Sequence, residues 1–162
     1  MTDDEIEFPS MRDQFGTRRG RMSTGDIDLP IANWAVSVVE LSRVPILRLR
    51  FYPHDGPGPG TNHGYTLTVE GSMVIVARTI ARRIDPPPGG SAAYLDLVLK
   101  TVRSAVASQN GDLIVTFTDG DRLEVPRDDH YEPWQLSGDD GSLAVSSAGG
   151  GLALWDADSR KA

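Results

Sequence analysis

The chain has 162 residues, a length suited to one domain of ordinary size. It contains no cysteine, which excludes disulfides, cysteine-type zinc centres and thiol nucleophiles. Its formal charge of −7 repels a phosphate backbone and speaks against general nucleic-acid binding.

The first residues, MTDDEIEFPS, offer neither the basic nor the apolar stretch of a secretory signal. Apolar runs along the chain are a few residues long, far short of the roughly 20 that a membrane-spanning helix needs. The expected location is the cytoplasm, with no membrane partner. Residues 1–28 mix acidic side chains with Arg12, Arg18, Arg19 and Arg21 and show no hydrophobic periodicity. Such a segment buries too little apolar surface to offset its ordering entropy. It is predicted to be a disordered tail, either a dispensable extension or a partner-binding arm.

From Trp34 the pattern turns to strands. Leu47, Leu49 and Phe51 alternate with Arg48 and Arg50, which puts the apolar set on one face. Tyr65–Glu70 alternates likewise, and Gly71-Ser72 turns the chain into an apolar strand, Met73–Ile80. The prolines and glycines of 52–64 make an exposed loop. A second breaker, 85–90, precedes Ser91, a candidate helix cap. Leu95, Val98 and Leu99 then have helical spacing, so one short helix is predicted over 91–100. Val102, Ser104 and Val106 lead into Asn110-Gly111, a hairpin signal, and Asp119-Gly120 is another. Strands follow at Leu113–Phe117, Leu123–Val125, Trp134–Leu136, Leu143–Val145 and Leu152–Trp155.

The sequence echoes itself. Shifted by 66 positions, Val36 falls on Val102, Leu47 on Leu113, Leu49 on Val115 and Phe51 on Phe117. After a shorter connection, Leu67 and Val69 fall on Leu123 and Val125. The expected fold is α+β, mostly antiparallel β: two similar meanders joined by one short helix. A single β-rich domain spans 29–156, with the first meander at 34–80, the helix at 91–100 and the second meander at 101–156. Residues 157–162 form a frayed end.

The C-terminal half carries Phe117, Asp119-Gly120, Leu123 with Val125, Tyr131-Glu132-Pro133-Trp134 and Ala148-Gly149-Gly150-Gly151-Leu152-Ala153-Leu154-Trp155. In these motifs it resembles a domain-of-unknown-function family of small actinobacterial proteins. That family has Tyr-Glu-Ala-Trp where Pro133 interrupts here, and Pro-Gly-Gly-Gly where Ala148 stands. The resemblance is closest over 100–156 and looser over 30–85. It implies a compact β-rich domain and no catalytic residue.

Asp128–Glu132 gathers three carboxylates, an imidazole and a phenol. Lining a pocket, such a group could move protons; in a turn, it only closes a connection. Asp129, His130, Tyr131, Glu132 and Trp134 are the candidate binding residues, and none is assigned as catalytic. His54, Asp55, His63 and His130 lack the spacing of a zinc site, so no metal and no cofactor is expected. Gly149–Gly151 lacks the spacing of a phosphate loop and suits a sharp bend. Arg78, Arg82 and Arg83 form a small basic group of the kind usual at a solvated strand end. The leading functional expectation is a non-catalytic cytosolic protein-binding domain, immunity-type or regulatory, with a protein partner. Two alternatives stand beside it. One is a small-molecule sensor or enzyme using the 128–132 cluster, with loop 53–64 as a lid. The other is a structural or oligomerisation module.

Overall fold

Alternation along strands such as Leu47–Pro53 and Met73–Val76 places one apolar row of each in the interior, and two sheets close over the rows so formed. The computed structural model describes residues 5–6, 20–41, 46–53, 64–70, 72–76, 81–84 and 96–157. These hold β1 (Glu5–Ile6), β2 (Gly20–Met22), β3 (Ile27–Asp28), β4 (Trp34–Leu41), β5 (Leu47–Pro53), β6 (Tyr65–Val69) and β7 (Met73–Val76). There follow β8 (Ala81–Ile84), β9 (Val102–Ala107), β10 (Leu113–Phe117), β11 (Arg122–Val125), β12 (Trp134–Gly138), β13 (Leu143–Ser146) and β14 (Leu152–Trp155). One sheet runs β1-β2-β14-β13-β12-β6-β5-β4, the other β3-β9-β10-β11-β7-β8. Leu49, Phe51, Leu67 and Trp134 of the first share a single core with Met73, Val115, Phe117 and Leu123 of the second.

The sequence echo is an echo of register. Val36 pairs with Phe51 as Val102 pairs with Phe117, and Leu49 pairs with Leu67 as Val115 pairs with Leu123. Both outer pairs carry a bulge at the same place: the register skips Ser37 in one and Arg103 in the other. The first unit is therefore β4–β8 and the second β9–β13. Each unit lays three strands in one sheet, turns a corner, and lays two in the other. At the crossing β6 pairs β12, and β11 pairs β7. Exchanging the units turns the order β4-β5-β6-β12-β13 into β9-β10-β11-β7-β8, so the two sheets are counterparts. Ala35 and Thr101, equivalent residues, bridge to one another where the sheets approach.

The expected α+β class is overturned: among the described residues there is no helix, and the fold is all-β. Residues 91–95 of the predicted helix lie outside the described residues, and 96–99 form a turn. Its backbone donors go elsewhere than to helical partners. Leu99 N–H donates to the Val36 carbonyl (2.8 Å), and Lys100 N–H closes a turn onto Leu97 (3.1 Å). Helical spacing of three apolar residues cannot outweigh an available strand edge.

Residues 20–28, within the predicted tail, carry β2 and β3. Ser23 N–H donates to Leu152 (2.7 Å), and the Asp26 carboxylate accepts from Gln109 N–H (2.8 Å). Strands of two or three residues show no period of their own; neighbouring edges order them. No helix among the described residues is long and apolar enough to cross a membrane.

Candidate functional site

The corner between β11 and β12 holds the cluster singled out from sequence. It takes eight residues, 126–133, where the equivalent corner between β6 and β7 takes three, 70–72. Its shape comes from local bonds. The Asp128 carboxylate accepts from His130 N–H (2.8 Å), its carbonyl from Gly149 N–H (2.8 Å), and Asp112 holds Arg127 N–H (2.8 Å). Asp129 and His130 point to solvent, and Tyr131 is 42% exposed. Partial desolvation, then Asp128 and Glu70, push the Tyr131 phenol above its ordinary value.

Trp134 has a different place. It is buried in the core, and its indole N–H donates to the Gly111 carbonyl (2.8 Å), which also accepts from Ser146 (2.8 Å). Trp134 is thus a core residue, whereas Asp129, His130 and Tyr131 are exposed; of the residues grouped with it by sequence, Glu132 shares a recess with it. Glu132 turns toward the other corner, whose Glu70 N–H donates to the Pro133 carbonyl (2.9 Å). Thr68, Glu70, Glu132, Trp134 and Gln135 line a recess of about 20 Å³, room for about one water molecule. Partial desolvation there, then the Glu70 charge, raise the Glu132 carboxyl above the ordinary range.

Gly149, Gly150 and Gly151 all take positive φ in the β13–β14 turn. Their N–H groups donate to Asp128, Ser147 and Asn110, so these donors are committed within the protein rather than to an anion. His54, Asp55, His63 and Arg78 lie outside the described residues, while Arg82 and Arg83 fall on β8. Among the described residues no three metal-binding side chains gather.

A second locus was not legible as a site. The turns before β4 and β9 are equivalent: Ile31 and Leu97 are both buried, and Trp34 and Lys100 each donate back to them. Asn33 N–H donates to Val102 as Leu99 N–H donates to Val36. Asn33 and Leu99 both take left-handed backbone, with φ of 67° and 71°. Asparagine tolerates that conformation; leucine pays roughly 1–2 kcal/mol for it. Leu99 recovers nothing by burial, being 80% exposed. The turn is nevertheless anchored, because Lys100 bonds Asp119 and Asp121 (2.9 Å to Asp121). Burial alone would lower the Lys100 ammonium, but the two aspartates raise it above its ordinary value. Burial likewise opposes ionisation of Asp119, and Lys100 with the Asp121 N–H holds that carboxyl below its ordinary value.

Residues 28–156 match a protein family described as Family of unknown function (DUF6188). No curated protein matches the chain, and no solved structure does. The resemblance read from Tyr131–Trp134 and Gly149–Trp155 thus holds at the level of a family of unknown function.

Proposed function

The chain belongs to this DUF6188 family, which supplies no activity to carry over, and we propose that it is a non-catalytic cytosolic protein-binding domain. Leu99 carries the reading. A bulky apolar side chain stands in solvent on strained backbone, at a position where the first unit uses asparagine. Strain kept against an available relief points to use. An exposed, anchored leucine is suited to fill an apolar socket on a partner. Asp96, Asp119 and Asp121 outnumber Lys100 around it, so the socket's rim is basic or neutral. Absence of cysteine suits a reducing compartment.

The small-molecule alternative uses the 128–132 cluster with loop 53–64 as a lid; the recess beside Glu132 holds about 20 Å³, against the roughly 300–1,000 Å³ of ligand pockets, and residues 54–63 lie outside the described residues. Immunity-type and regulatory roles share the same surface and differ in the partner. A photo-crosslinking side chain at position 99, set against one at position 33, tests the reading in cells. A discrete protein adduct from 99 and none from 33 is expected. With the captured partner purified, Leu99→Asn weakens binding by more than about tenfold. Equal labelling from both positions sinks the proposal.

A further inference from the structure

The eight-stranded sheet ends on two strands, β1 and β2, that the family match does not include. The match begins at residue 28, whereas β2 covers the free edge of β14. Within the matched range β14 would be an edge strand. An exposed edge is a template for an added strand.

What β2 brings to that edge is specific. Met22 pairs with Ala153 and Arg21 with Leu154. Leu143, Val145, Ala153 and Trp155 form a buried apolar cluster separate from the shared core, and Met22 packs against it. Gly151 leaves the room that Met22 occupies: a Cβ there would lie 2.7 Å from the Met22 methyl carbon. Gly20 lies under Trp155 so closely that any Cβ would come within 2.4 Å of two indole carbons. Between them Arg21 reaches Asp156 at 2.8 Å. The site therefore reads three consecutive positions: no side chain, a cation, a long unbranched apolar group.

β2 is three residues long, with two register pairs and one further backbone bond, from Ser23 to Leu152, holding it to β14, and its other side pairs with the two-residue β1. Its ion pair is exposed. Such a segment opens at little cost compared with core strands. We infer that the β14 edge and its Trp155 face are a strand-acceptor site for an extended segment of another protein with the pattern Gly-basic-Met. The chain's own β2 is the resident occupant and competes with it. A tethered competitor acts at an effective concentration near millimolar, so the foreign strand binds weakly until β2 is displaced.

The test uses the full chain and a fluorescein-labelled synthetic peptide of residues 17–26. In the Gly20→Val chain, valine collides with Trp155 and empties the edge. Anisotropy should show saturable one-to-one binding at least about tenfold tighter than to the wild-type chain. The same peptide carrying Gly20→Val should not bind. Met22→Asp in the chain empties the site by a second route should the valine variant misfold. Equal affinity of folded variant and wild type, or equal binding of both peptides, overturns the inference. Leu99→Asn leaves this binding unchanged, which separates it from the Leu99 surface.

Discussion

The two units meet the same structural demands with matched apolar residues inside and unlike ones outside. Phe51 and Phe117, Leu49 and Val115, and Ile31 and Leu97 occupy matched buried positions. At the surface they diverge. Trp34 meets Tyr65 edge-on at 5.2 Å, and the equivalent Lys100 and Asp121 form an ion pair. Arg50 on β5 holds Asp139, Thr66 and Tyr52 across the outer face, tying the β12–β13 turn to the first unit. The bond to Asp139 is the main reason its guanidinium pKa is raised. Packing and register penalise any change of the shared interior. Turns and corners carry no such penalty, so the units differ where function can sit.

The largest effects should test the equivalence itself. Phe51→Ala and Phe117→Ala should each cost about 3–5 kcal/mol in urea denaturation, within about 1 kcal/mol of one another. A clear inequality would mean that the matched registers do not create matched interiors. Next in size is the exchange of the left-handed residues. Leu99→Asn should stabilise by about 1 kcal/mol, raising Tm by about 2–4 °C, and Asn33→Leu should destabilise by a similar amount. A neutral Leu99→Asn would remove the strain from the account of Leu99.

The ion pairs of the second unit give a smaller, pH-dependent effect. Asp119 has its folded pKa lowered, so its contribution is present above the ordinary carboxyl range and is lost as pH falls through the folded value. Lys100→Met should therefore cost about 0.2–1 kcal/mol at pH 7 and nothing at pH 2, whereas Trp34→Phe should show no such dependence. The smallest effect is at the corner. Glu132 has its folded pKa raised, so its penalty is present above that value and gone below the ordinary carboxyl range. Glu132→Gln should raise Tm at pH 7 by less than about 2 °C, and the gain should vanish near pH 4.

Much of the fold is written locally. Alternation at Leu47–Phe51, the Asn110-Gly111 and Asp119-Gly120 turns and the 66-residue echo lead to the pairing of β5 with β6 and of β10 with β9 and β11, whereas Met73–Ile80, read as one strand after a tight turn, begins with β7 in the other sheet. Two things are not local. The pairing of β6 with β12 and β7 with β11 joins segments far apart in sequence, and no residue pattern announces it. The turn at 96–99 looks helical in isolation because its real partner, Val36, lies in the other unit. Of the five residues chosen as a site, Trp134 is a core residue by the same alternation that marks Leu136. Asp129, His130, Tyr131 and Glu132 do sit together, in a corner longer than its counterpart. Leu99 is not legible as a surface feature, because its left-handed backbone and its exposure exist only in the folded turn.

The exchange of strands between the units has a consequence for biosynthesis. β6 leaves the ribosome with one edge bare, and the strand that covers it, β12, is made only after the whole of β9–β11. β7 likewise waits for β11. A nascent chain ending before Trp134 holds unfinished sheets with sticky borders, the kind of intermediate that aggregates. Productive folding is thus deferred to the last part of translation, and premature stop codons anywhere upstream of β12 should yield inclusion bodies rather than a usable half.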